Sequence, residues 1–291
     1  MIIVQQVLNG IVLGSLYVLV ALGLTLIYGV LVQINFAHAD IVTVGAFVAY
    51  FVVQSLGANY LVAILAALVV GGLLGWLVNA TIFQPLRLTR SELLPLIATI
   101  GVSVMMQNGM LAWLGPVPFA FDTPYSNDVV RFGRIYITWQ NLIIIVVSTV
   151  SIGLLYGFMR FTFMGKALRA VAQDRDTAGL MGINQAQVIM LTFVIASAFA
   201  GMAGAMLGPI LVLTPFAGAS VIVKAFAIVI IGGFGNIEGT IIAGLLVGLI
   251  ESFTTQYLDP GWIDLVVFGL LLATLAFRPT GLIAERTEEN V

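Results

Sequence analysis

The sequence has no cysteine, a single histidine (His38), and charge on only 8% of its residues. Without cysteine there is no disulfide, no thiol nucleophile and no thiolate metal site. One histidine excludes an HExxH metal helix, and neither a GxSxG nucleophile elbow nor a GxxxxGK[ST] phosphate loop occurs. Gly165-Lys166 comes nearest to the latter, but Arg160 stands where the upstream glycine belongs and Ala167 where the hydroxyl belongs. The chain is therefore not expected to be an enzyme, to hydrolyse ATP alone, or to bind a metal or cofactor itself. A net charge of −2 without a basic patch argues for no nucleic-acid partner. The opening "MIIVQQVLNG" lacks the positive start of a cleavable leader, so the mature chain is expected to begin here.

What the sequence has in excess is apolar surface. Hydrophobic residues make up 61% and the mean hydropathy is +1.14, against roughly 45–50% apolar usage in soluble domains. A lipid bilayer is the expected solvent. Apolar runs near residues 5–31, 36–55, 60–83, 94–114, 140–160, 187–208, 222–236, 240–257 and 262–277 approach the ~20 residues that cross a hydrocarbon core. Backbone polar groups need internal partners there, so the spans are expected to be helices. The expectation is an all-α, polytopic transmembrane bundle of eight or nine spans, one domain over residues 1–291. The seventh run is the weakest, being short and broken by "GGFGNIEG" (Gly232–Gly239).

Basic residues set the orientation. Arg87 and Arg90, then Arg160, Lys166, Arg169 and Arg175, then Arg278 and Arg286 occupy three segments separated by even numbers of spans. Placing all three in the cytoplasm makes the N-terminus external and the C-terminus cytoplasmic. The loop 115–139, with Arg131 and Arg134 beside Asp122 and Asp128, is then external, and the loop 161–187 cytoplasmic. Small residues recur every fourth position in Ala196-Ala200-Gly204-Gly208, Thr240-Gly244-Gly248-Ser252 and Ala67-Gly71-Gly75, a spacing that lets membrane helices approach closely.

The rare charge is concentrated. Lys166, Arg169, Asp174, Arg175 and Asp176 fall within eleven residues. A short helix from Lys166 to Gln173 is expected, then a second from Arg175 to Met181 capped by Asp174 and stopped by Gly182. Exposed Leu180 and Met181 make this more than a connection. Local chemistry also permits an interfacial helix lying against lipid headgroups.

Asp176-Thr177-Ala178, three residues, then Gly182 resembles the EAAxxxG loop signature of permease subunits of bacterial ABC importers, with Asp for Glu and Thr for the first Ala. Together with "GLTLIYGVLVQINFAHADIVTVGAF" (Gly23–Phe47), "LRAVAQDRDTAGLMGINQAQVIMLTFVIASAFAGMAGAML" (Leu168–Leu207), "KAFAIVIIGGFGNIEGTIIAGLLVGLIE" (Lys224–Glu251) and "RPTGL" (Arg278–Leu282), it gives nearly the whole chain a resemblance to the branched-chain amino acid permease family, in its LivH-type subunit. Two positions depart: Ala39-Asp40 stands where that family usually has Gly-Glu, and Glu238 where Pro is common. The resemblance implies a coupling helix docked on a cytoplasmic ATPase. It also implies a second homologous permease subunit (or a second copy), two ATPases carrying ATP and Mg, a periplasmic solute-binding protein, and the bacterial inner membrane. Arg169, Asp174, Arg175, Asp176, Ala178, Leu180, Met181 and Gly182 are the expected coupling residues.

The path through the membrane is less defined. Polar residues at membrane depth are costly and mark candidates: Asn35, His38, Asp40, Asn108, Lys224 and Glu251, with Gln107 weaker. Asn35 also suits a helix cap and Asp40 a first helical turn. Lys224 is expected to snorkel to the outer interface. Glu251 is expected either to bond another helix or to line the cavity. These residues form no tight zwitterion site, as suits a passage fed by a separate binding protein. The rival class, an ion-coupled secondary transporter, fits the polar residues but leaves the charged loop without a role.

Overall fold

The computed structural model describes residues 2–86, 93–126, 128–132 and 135–283. Arg87, Arg90, Arg134 and Arg286, used above for orientation, lie outside the described residues. The apolar runs fold as helices α1 (Ile2–Leu31), α2 (His38–Gln54), α3 (Tyr60–Val78), α4 (Leu93–Leu114) and α5 (Trp139–Phe161). Two short helices follow, α6 (Phe163–Gln173) and α7 (Arg175–Leu180), then α8 (Gln185–Leu207), α9 (Ala217–Gly232), α10 (Ile237–Tyr257) and α11 (Ile263–Phe277). A π-helical turn, Asn79–Phe83, extends α3. Between α4 and α5 a small antiparallel hairpin pairs β1 (Val129–Phe132) with β2 (Ile135–Thr138), and a lone bridge joins Phe119 to Leu213; the other elements among the described residues are helical.

Among the described residues, seven helices are long and apolar enough to cross a membrane, while α2 and α9 are shorter. At one end of the bundle, Gln5 of α1 and Gln54 of α2 reach the backbone of the α4–α5 connection at Tyr136 and Asp122. At the other end, Gly29 of α1 meets Gly235, and Leu282 N donates to Ile231 O of α9. The α1 N-terminus and residue 282 thus lie at opposite ends of the bundle.

Small residues account for the tightest crossings. A Cβ on Gly71 or Gly75 of α3 would strike the backbone oxygens of Ser197 and Phe193 on α8. On Gly248 of α10 it would strike Gly14 of α1, and on Gly45 of α2 it would strike Gly201. Bare backbones in contact gain dispersion energy where lipid offers no hydrophobic drive. By contrast α4, α5 and α11 are mostly unburied.

The short helices have a reason for their length. His38, in the first turn of α2, lies against Val20 and Gly23 of α1. That is about 12 Å inside the Leu31 end of α1, at 1.5 Å per residue. Residues 32–37 therefore dip back into the bundle before α2 starts. The first turn of α9 meets the first turn of α2 there: Gly218 packs on Ala39 O, and its N–H donates to Thr43 Oγ1 at 2.9 Å. From this contact α2 leaves toward the strand end and α9 toward the other. Asn35 and Ala37 before α2, and Leu213 and Pro215 before α9, are buried, so protein covers part of this irregular backbone at a depth where lipid could not satisfy it. The sequences at the two starts also match, Phe36-Ala37-His38-Ala39 beside Phe216-Ala217-Gly218-Ala219. The triples α1–α3 and α8–α10 thus form inverted counterparts.

Candidate functional site

The charged segment is built as a helical hairpin. Thr162 caps α6, its Oγ1 accepting from Gly165 N at 3.0 Å. One face of α6, Leu168 and Val171, joins Ala178 of α7 in a core with Leu26, Ile27 and Val30 of α1. Asp174 caps α7 by accepting from Asp176 N and Thr177 N at 2.9 and 3.1 Å, and Thr177 Oγ1 donates to its second oxygen at 2.6 Å. The Thr177 hydroxyl above all, with these amides, holds the Asp174 carboxyl below the usual carboxylate range. Gly182 ends the turn at φ +84°, the left-handed region that favours glycine.

The predicted coupling residues divide into two groups. Arg169, Asp174, Asp176, Leu180, Met181 and Gly182 are exposed, with Leu180 88% and Met181 79% accessible. Two large apolar side chains thus stand exposed side by side at the end of α7 among the described residues. Ala178 and Arg175 face inward. Arg175 donates from Nε to Val30 O at 2.9 Å and from Nη2 to the same oxygen, and its own carbonyl accepts from Gln185 Nε2 at 2.8 Å.

The predicted path residues do not form one site. Asn35, His38 and Asp40 are all buried at the start of α2. Asn35 does not cap α2, which has Ala37 at that position; its Oδ1 accepts from Ala37 N at 3.2 Å. His38 Nε2 sits 3.2 Å from Val20 O, and Asp40 Oδ1 accepts from Gln107 Nε2 at 2.9 Å. One polar atom on each (Asn35 Nδ2, His38 Nδ1, Asp40 Oδ2) has no partner among the described residues. Asn108 lies apart from them, exposed and bonded back to Val104 O of its own helix at 2.8 Å.

Lys224 and Glu251 make a second cluster. Lys224 does not reach out to an interface: its Nζ donates to Glu251 Oε1 at 2.8 Å and to the Tyr17 hydroxyl at 3.3 Å, 5.4 Å from that ring. A carboxylate on the neighbouring helix offers the ammonium a partner nearer than water, so the side chain turns inward. Of the two roles expected for Glu251, bonding to another helix is the one seen. Tyr17, unremarkable among the apolar residues of α1, went unnoticed in the sequence. Lys224 was expected at the start of its run and Glu251 toward the end of its own, and a bond to another helix was weighed for Glu251 alone.

A cavity of about 470 Å³ opens beside the hairpin, between the C-terminal turn of α1, the ends of α5 and α6, and the start of α10; Arg160, Arg169 and Glu238 reach it.

Residues 6–275 match the family described as the permease component of the branched-chain amino acid transport system. The chain belongs to this family. It is 35% identical over 301 positions to the high-affinity branched-chain amino acid transport system permease protein LivH of Escherichia coli (strain K12), covering 99% of this chain and 97% of that one. The corresponding permease protein BraD of Pseudomonas aeruginosa is 34% identical over 306 positions with the same coverage. A probable branched-chain amino acid transport permease protein, LivM of Methanocaldococcus jannaschii, is 22% identical across 77% of this chain and 69% of its own. No solved structure matches. Like its family, this chain is a multi-pass membrane permease component.

Proposed function

We propose that this permease is the transmembrane subunit of a bacterial ABC importer that passes branched-chain amino acids, or a related small solute, inward across the inner membrane. Family membership over 270 residues (6–275) carries the reading, and the exposed Leu180–Met181 tip supports it. The hairpin end faces the cytoplasm and the β1–β2 end the periplasm, with nine crossings, two of them completed by the irregular segments before α2 and α9. ATP and Mg bind on two ATPase subunits, one of which receives α6 and α7. A second permease subunit, homologous or identical, completes the path, and a periplasmic solute-binding protein delivers the solute to loop 115–139. Buried Asn35, His38 and Asp40 supply weak polar contacts rather than a tight site, which suits a passage. ATPase closure need bias the inward- and outward-open arrangements by only a few kcal/mol to switch access.

Replacing both Leu180 and Met181 with Asp tests this. The permease should still insert, but its ATPases should no longer copurify and uptake should vanish. Retained ATPase binding would remove the docking role. Uptake by the permease alone, driven by an ion gradient, would replace the importer with the rival class. Competition between leucine, valine, isoleucine, urea and short amides in proteoliposomes identifies the solute.

A further inference from the structure

We propose that Arg175 is a positioning residue rather than a docking residue: it fastens the coupling hairpin to the end of α1, which then acts as a strut between the two faces of the transporter. The proposal rests on the coupling role given above to the hairpin. Three features of α1 carry it.

The first is the joint itself. Arg175, from the capped first turn of α7, places two N–H groups on one carbonyl oxygen, Val30 O, in the last turn of α1. Terminal helix carbonyls lack partners within the helix and carry the negative end of its dipole. A guanidinium is matched to that oxygen in charge and in its forked geometry. Gln185 at the start of α8 holds the Arg175 carbonyl, so the residue is fixed from both sides.

The second is the shape of the chain just beyond. Val32 has φ +53°, the left-handed region, and its N–H closes on Tyr28 O at 2.7 Å. That conformation is uncommon for a β-branched residue. The chain thus turns sharply at the end of α1, right beside the joint.

The third is the far end of α1. Gln5 donates from Nε2 to Tyr136 O at 2.9 Å and accepts at Oε1 from Tyr136 N at 3.2 Å. A side-chain amide thereby pairs with β2 as a neighbouring strand would. Between the two clamps runs the most enclosed of the candidate spans, with Gly10 and Gly14 seated against α10. A helix so confined moves as a rod. Displacement of the hairpin is then felt at the β1–β2 loop, and contact at that loop is felt at the hairpin.

The test uses the whole transporter, the permease expressed with its ATPase and solute-binding subunits and reconstituted in proteoliposomes. Arg175→Gln should leave the ATPases bound and basal ATP hydrolysis within twofold of the unmodified complex. Stimulation of hydrolysis by loaded binding protein should fall at least fivefold, and uptake with it. Arg175→Lys, which keeps the charge but not the fork, should recover part of the stimulation. Gln5→Ala, at the opposite face and far from any ATPase, should produce the same loss of stimulation with basal hydrolysis kept. Uptake and stimulation within twofold in Arg175→Gln, or loss of the ATPases from that complex, overturns the proposal; so does a Gln5→Ala complex that responds normally. Failure of the hairpin reading itself appears elsewhere, as ATPases that stay bound when Leu180 and Met181 are both changed to Asp.

Discussion

Removing the ammonium of Lys224 as Lys224→Met keeps the length of the side chain and strands the Glu251 carboxylate between α1, α9 and α10. At 2.8 Å the gross attraction is ~6 kcal/mol for an effective dielectric near 20, most of it spent on taking both charges out of water. Breaking a buried pair from one side costs about 3–5 kcal/mol, because the remaining charge has no partner. The side chains keep 15% and 10% exposure, and Glu251 Oε2 already has no partner among the described residues, so the lower end, ~3 kcal/mol, is expected here. Glu251→Met should cost a similar amount. The double variant should cost less than either single change, since two thioethers leave no charge behind. Tyr17→Phe should cost ~1 kcal/mol, the value of one hydrogen bond. Detergent-solubilised permease, unfolded by SDS and followed by the fluorescence of its four tryptophans, reads all four quantities, the Lys224 and Glu251 variants closing a double-mutant cycle. Single changes that each cost under ~0.5 kcal/mol, or a double change equal to their sum, would refute the reasoning.

Gly45→Ala should prevent assembly, because the new methyl meets Gly201 backbone, whereas Gly153→Ala, with nothing within 4 Å, should leave yield and the elution profile unchanged. Gly182→Val should insert normally but lower uptake, since its φ of +84° strains a β-branched residue; undiminished transport would argue that the hairpin's exit angle is unimportant. Acid should loosen the hairpin. The native Asp174 carboxyl titrates below its unfolded value, so its cap contributes fully above the ordinary aspartate value of ~3.9 and is lost as pH falls through the native one. A spin label at Met181 should gain mobility over that window, and Asp174→Asn should shift or abolish the change.

Patterns that repeat locally were legible in the sequence. Hydropathy marked all nine apolar helices, the fourfold spacing of small residues marked the α3–α8 and α1–α10 crossings, and Asp174 and Gly182 marked the boundaries of α7. Relations between distant segments were not. Arg175 was expected on the docking surface with the other coupling residues, yet its partner is a backbone oxygen 145 residues away. Lys224 and Glu251 are 27 residues apart on different helices, and neither carries any sign of the other. The likeness of Phe36–Ala39 to Phe216–Ala219 was open to a search for internal repeats, but its meaning needed the contact of Gly218 with Ala39.

That contact has a corollary for how the passage opens. Two halves of like fold set head to tail can trade postures, so the shape that one adopts to admit solute is the shape the other adopts to release it. A protein made this way needs one deformation, performed alternately by its two moieties. Equivalent lesions at Ala39 and Ala219 should accordingly trap opposite states, one accessible to a probe from outside and the other only from within.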